Sequence, residues 1–181
     1  MKSLHKHVVL MGFKHVGKSV IGKNLSEKIS APFIDLDHQI ELLYENENNK
    51  KYSCRKIMVN AGEKEFRRLE TNALSHAVHA PPSVISLGGG TALYPENKIF
   101  LHSCFLIYIT APKDIVFNRI QQGGNPAFFN PEENLQDTFN QLWEKRNAIY
   151  KTMQNFFIMN DGTVDDTVKK IVEKIKQEEL L

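Results

Sequence analysis

An apolar run of strand length, Val8-Val9-Leu10-Met11, passes directly into Gly12-Phe13-Lys14-His15-Val16-Gly17-Lys18-Ser19, and a helical pattern starts at once behind it. The string reads G-x-x-x-x-G-K-S, which is a phosphate-binding loop when a strand precedes it and a helix follows. Glycines let successive backbone N–H groups turn inward on phosphate oxygens, and the positive end of the helix adds to their pull. On this reading Gly12, Lys14, His15, Val16, Gly17, Lys18, Ser19 and Val20 surround a nucleotide. Lys18 neutralises its β and γ oxygens, and the Ser19 hydroxyl ligates Mg²⁺.

A strand feeding a helix through so short a loop commits the chain to an α/β fold. Runs rich in β-branched and aromatic residues recur at His7–Met11, Phe33–Leu36, Ser83–Leu87, Phe105–Ile109 and Phe156–Met159, with longer segments of helical spacing between them. The alternation predicts a three-layer α/β/α architecture with a five-stranded parallel sheet, of the P-loop NTPase type. Pro112 suits the first turn of a helix after the fourth strand. In the last helix Val168, Ile171, Val172 and Ile175 share one face, and Asp165 and Asp166 stand near its positive end.

With 181 residues, 41% of them hydrophobic, the chain is expected to form a single domain. A net charge of +2 without a Lys/Arg block gives no footprint for a nucleic-acid partner. No apolar run approaches the ~18 residues that span a bilayer. Cys54 and Cys104 form neither a C-x-x-C pair nor a ligand cluster and read as free thiols. A soluble cytoplasmic monomer is the expectation. Two stretches break the rhythm: polar Glu45–Lys51 reads as an exposed loop, and Gly123–Pro131 has the glycine, proline and aromatic content of a mobile flap.

Three further segments carry candidate chemistry. Asp35 and Asp37 end the second strand, where residues two apart share a face, so both carboxylates could point at the phosphates. One could hold Mg²⁺ and the other take a hydroxyl proton, or either could cap the following helix. Gly62-Glu63-Lys64-Glu65-Phe66-Arg67-Arg68-Leu69-Glu70 starts a helix with Phe66, Leu69, Ala73 and Leu74 on one side. Taken alone, Arg67 reads as a surface ion-pair partner of Glu63 and Glu70. Gly88-Gly89-Gly90 follows a buried strand and suits backbone lying against a ligand or taking positive φ, or a plain loop.

Together G-F-K-H-V-G-K-S at 12–19, D-L-D at 35–37, G-E-K-E-F-R-R-L-E at 62–70, L-G-G-G at 87–90 and E-K-R-N-A-I-Y at 144–150 resemble the shikimate kinase family in order and approximate spacing. The resemblance implies ATP and shikimate as ligands and transfer of the γ-phosphoryl of ATP to the 3-hydroxyl of shikimate, with Mg²⁺, in chorismate and aromatic amino-acid biosynthesis. It implies that Lys18 and Asp37 are catalytic and that Asp35 joins Ser19 in the metal shell. Asp37, Arg67, Gly88, Gly89, Gly90 and Arg146 would bind shikimate, the two arginines gripping its carboxylate. Arg119 corresponds to an arginine near the adenine. A substrate-binding subdomain over about 37–70 and a lid over about 119–135 follow by the same resemblance.

The sequence also departs from that pattern. The family's lid carries arginine before proline, whereas Phe128-Phe129 stand there and no Lys or Arg occurs from Ile120 to Glu144. His15 occupies a usual glycine position, and neighbouring Lys14 is a candidate to replace the missing lid charge. A longer polar insertion lies near 46–53. Two other readings remain beside the kinase: a degenerate nucleotide-binding relative with little activity, and a kinase for another small carboxylated metabolite.

Overall fold

All four side chains of β1 (Val8–Met11) are buried, which a strand achieves only when both faces of its sheet are covered. The computed structural model describes residues 3–123 and 134–181. In it β1 pairs in parallel with β3 (Val84–Ser86) on one side and β4 (Phe105–Thr110) on the other, Val8 lying opposite both Val84 and Phe105. β2 (Phe33–Asp35) and β5 (Phe156–Met159) complete the order β2-β3-β1-β4-β5, all parallel. The five-stranded parallel sheet expected from the alternation is therefore present, with strand limits close to the apolar runs.

Alternation along the strands divides the core in two. Val8 and Leu10 belong to a layer with Ile21 and Leu25 of α1 (Lys18–Ile29), Val116 of α5 (Lys113–Gln122), Phe139 of α6 (Leu135–Met153) and Ile171 of α7 (Val164–Gln177). Val9 and Met11 face the opposite layer, with Ile40 of α2 (Leu36–Asn48), Leu69 of α3 (Cys54–His79) and Leu101 of α4 (Lys98–Leu101). Each fully buried aliphatic side chain contributes at most about 1.5–3 kcal/mol of transfer free energy. The α7 face is as expected: Val168, Ile171 and Ile175 are buried and Val172 packs against them.

Three local expectations are corrected, and a fourth falls largely outside the described residues. The polar stretch from Glu45 is not wholly loop, because α2 continues to Asn48 and ends in a left-handed Asn49, φ 53°. Packing against α3 overrides the poor helix propensity there; Glu47 pairs with Arg68, and Tyr44 stacks on Tyr52 at 5.5 Å between ring centroids. Pro112 caps α5 from outside with extended ψ, 132°, instead of lying in its first turn. Residues 119–122 close α5, so the lid range expected to begin at Arg119 starts in a helix, and its 124–133 portion with Phe128 and Phe129 lies outside the described residues. The second strand stops at Asp35, and Asp37 stands in the first turn of α2. Among the described residues, no helix is long and apolar enough to cross a membrane.

Candidate active site

A cavity of about 480 Å³ opens at the carboxyl ends of the central strands, where open parallel sheets place their ligands. The loop after β1 forms one wall, with Lys14, His15, Gly17, Lys18, Ser19 and Val20 all lining it. Lys18 opens α1 and is buried, and its Nζ donates to the carbonyls of Gly12 at 3.0 Å and Phe13 at 2.8 Å. Burial pulls its pKa down to about 8, although Asp37 and Asp35 act in the other direction. An ammonium buried among carbonyl dipoles is poised for a stronger anionic partner. Gly12 and Val16 stand behind the wall. A Cβ on Gly12 would meet the Ile109 carbonyl oxygen at 2.0 Å, and Val16 is in the core.

His15 adopts φ 64°, the left-handed conformation, which explains why a glycine suits this position better than most L residues. Arg119 lies outside the cavity and donates to the His15 carbonyl at 2.9 Å. Burial and the cations Lys14, Lys18 and Arg119 hold the His15 imidazole below its usual pKa.

Asp35 and Asp37 both reach the cavity, but not through strand alternation. Asp35 is the N-cap of α2, and its Oδ1 accepts the Asp37 amide at 3.1 Å. It thereby satisfies an otherwise orphaned helix donor. The capping alternative thus holds for Asp35, while Asp37 is carried inward by the first helical turn. Surrounding protein withdraws water from Asp37 and raises its pKa to about 6, with Lys18 opposing and Asp35 and Glu70 adding to the rise. The carboxylate still opens on the cavity, so water there moderates the effect.

The rest of the lining comes from α3, the glycine run and α6. α3 breaks at Gly62, φ 86° and ψ 167°, and its second half carries Phe66, Leu69, Ala73 and Leu74 into the core as expected. Arg67 does pair with exposed Glu63 at 3.5 Å and with Glu70 at 2.7 Å, and the Glu70 pair is not a solvated surface pair. Glu70 is 1% exposed and also accepts the Thr91 hydroxyl at 2.7 Å. The Arg67 guanidinium lies between the Phe66 and Tyr94 rings, at 5.5 and 5.4 Å. Its Nε, 3.5 Å from Glu63 Oε1, makes no hydrogen bond among the described residues.

Arg146, on α6, donates to the Gly89 carbonyl at 3.2 Å and lies 5.1 Å over the Phe13 ring. The Tyr150 hydroxyl donates to that same carbonyl. Burial and the nearby charge of Arg67 lower the Arg146 pKa, countered in part by Tyr150 and Glu70. Two guanidiniums facing one cavity favour a bound carboxylate. The triple glycine has no left-handed member; its requirement is close approach. A Cβ at Gly88 would come within 2.8 Å of Asp37 Oδ1, at Gly89 within 3.2 Å of the Lys14 nitrogen, and at Gly90 within 3.4 Å of Arg67.

The same cavity is lined by Cys54, Arg55, Met58 and Ser86, which sequence spacing did not single out. Phe66 and Glu70 also line it, though spacing marked them only as a core-facing residue and an ion-pair partner of Arg67. Cys54 donates its S–H to the Asp37 carbonyl at 3.3 Å, and burial pushes the thiol pKa well up. Both cysteines are free, as expected. Among the described residues, no group of three or more His, Cys, Asp or Glu is placed to hold a metal. Ser19, with Asp35 on the same cavity, offers instead the sparse oxygen set of a Mg²⁺ that keeps waters and phosphate oxygens as its other ligands.

The shikimate kinase family model matches residues 14–176. A shikimate kinase of Microcystis aeruginosa is 32% identical over 168 residues, covering 93% of this chain and 83% of the relative. A bifunctional shikimate kinase/3-dehydroquinate synthase of Thermotoga maritima is 27% identical over 173 residues, which are 96% of this chain and 33% of the relative, so the chain spans about one third of that protein. The solved shikimate kinase of Acinetobacter baumannii in complex with shikimate superposes with a TM-score of 0.82 at 25% identity, covering 97% of this chain and 96% of the other. A family model running through nearly all of the chain thus agrees with close-to-full-length relatives and with the fold, and the chain belongs to the shikimate kinase family.

Proposed function

We infer that this chain transfers the γ-phosphoryl group of ATP to the 3-hydroxyl of shikimate, a step toward chorismate and the aromatic amino acids. The observation that carries this reading is one cavity lined by the phosphate loop with Lys18, by Arg67, Arg146 and the glycine run, and by Asp37. Arg67 and Arg146 bind the carboxylate and Gly88–Gly90 lie along the ring. Asp37 orients the hydroxyl and accepts its proton as the phosphoryl group is transferred in line. Lys18 exchanges its carbonyl partners for phosphate oxygens and neutralises charge developing there. Ser19 and Asp35 would hold Mg²⁺, which screens the phosphate charge when bound. Residues 37–70, comprising most of α2 and α3 as far as Glu70, act as the substrate-binding subdomain of this single, monomeric domain.

Lys14 is exposed on the cavity and lies within electrostatic reach of Asp37 and Lys18. It supplies part of the positive charge that the segment from Ile120 to Glu144 lacks. That same deficit favours a second reading, a protein that binds ATP and shikimate with little turnover. Shikimate-dependent ADP release in a coupled assay separates the two, with Lys18→Ala as a blank expected to be slower by about a thousandfold. Absence of shikimate-dependent turnover at high enzyme concentration overturns the kinase reading, and calorimetric binding of both ligands would then favour the second.

A further inference from the structure

The loop after β5 reaches back to the phosphate loop across 144 residues of sequence: Asn160 Nδ2 donates to the Val16 carbonyl at 2.9 Å. Asn160 is itself fixed twice. Its amide N–H donates to the Thr110 carbonyl at 2.7 Å, and its Oδ1 accepts from the Thr167 hydroxyl at 3.2 Å. The hydroxyl shares that single proton with the Thr163 carbonyl, also at 3.2 Å. With Oδ1 turned to a donor and Nδ2 to an acceptor, the amide has one consistent orientation.

The consequence lies on the far side of the peptide. In a trans peptide the C=O and the following N–H point in opposite directions. Holding the Val16 carbonyl toward Asn160 directs the Gly17 N–H the other way, and Gly17 lines the cavity. Gly17 sits at φ 100° and ψ 11°, a region glycine enters freely and from which a peptide ahead of it can rotate. The rotated peptide would present a carbonyl oxygen, a repulsive group, where phosphate oxygens must lie. Asn160 also lies against Gly17 itself, where an added Cβ would meet its Nδ2 at 2.7 Å.

We propose that Asn160 is a positioning residue that locks the Val16–Gly17 peptide in its anion-binding orientation. The proposal rests on the reading that this loop holds the phosphates of ATP. It predicts an order of effects that a space-filling role does not. Asn160→Asp keeps the volume and the Thr167 bond but sets a carboxylate against the Val16 carbonyl, favouring the rotated peptide. Asn160→Ala only releases it.

Calorimetric affinities for ATP and shikimate, with the KM for each, test this in the wild type and both variants. The expected result is a Kd for ATP raised about tenfold or more in Asn160→Asp and about threefold in Asn160→Ala, with the Kd for shikimate within twofold of wild type. Retained shikimate affinity establishes that each variant is folded. Thr167→Val, which removes the hydroxyl orienting the amide, is expected to give the smallest loss. Equal ATP affinities in wild type and Asn160→Asp overturn the proposal. So does a larger loss in Ala than in Asp, which marks packing as the role, and so does a parallel loss of shikimate affinity. A wild type that fails to bind ATP refutes the underlying reading of the loop instead.

Discussion

The two walls of the cavity are built in opposite ways. The phosphate wall comes from consecutive residues, Gly12 to Ser19, whose backbone is shaped by the step from β1 to α1. The acceptor wall gathers Asp37, Arg67, Gly88–Gly90 and Arg146 from four separate elements or loops, tied by contacts such as Thr91 to Glu70 and Arg146 to Gly89. On the proposed function, the first wall binds chiefly through backbone N–H groups together with Lys18, and the second through charged side chains. Substitutions in the second wall should therefore disturb the acceptor selectively, whereas the central residues between the walls should disturb the chemistry.

The largest effect is expected where the walls meet. Asp37→Asn should lower kcat by about 10²- to 10⁴-fold, the usual contribution of a positioned base. Wild-type kcat/KM should rise as pH passes about 6, where Asp37 loses its proton, and fall above about 8, where Lys18 loses its own; the acid limb should disappear in Asp37→Asn. Stability should move the other way. A carboxyl pKa raised from 3.8 to about 6 means the folded state retains a proton that the unfolded chain has released within that window. Stability is therefore lost as pH rises through it, and Asp37→Asn at pH 7 should melt no lower than the wild type. A lower melting temperature would reassign Asp37 to a structural role.

Next in size, Arg67→Lys should raise the KM for shikimate by about 10- to 100-fold, because an ammonium cannot reproduce the guanidinium fork held between Phe66 and Tyr94. The KM for ATP should stay within about twofold. An equal rise in both would show that the walls are not separable. The smallest effect is expected for Lys14→Ala, a loss in kcat of about three- to tenfold from an exposed cation. Unchanged turnover would remove Lys14 from the mechanism.

The same contrast governs what the sequence disclosed. The phosphate loop was legible from spelling alone, since its function is local backbone geometry. The sheet was legible because buried parallel strands are short, apolar and regularly spaced. Asp35 and Asp37 were found for the wrong geometric reason: strand alternation was invoked where an N-cap and a helical turn place them. Arg67 looked like a surface ion pair because spacing along a helix carries no information about depth, and Glu70 is enclosed by Thr91 from a distant loop. Cys54, Arg55 and Met58 had no signal, since only the packing of α2 on α3 turns that end of the helix toward the cavity. Asn160 was invisible for the same reason, its partner lying 144 residues away.

The glycine run has a consequence for inhibition. A side chain at Gly88 would be pressed against Asp37 and one at Gly89 against the Lys14 backbone, groups that the proposed function places around the reacting ligands. A compound that draws its affinity from this wall therefore leaves the enzyme few single-residue routes to resistance. A compound resting on exposed Arg55 and half-buried Met58 meets side chains with more room to change.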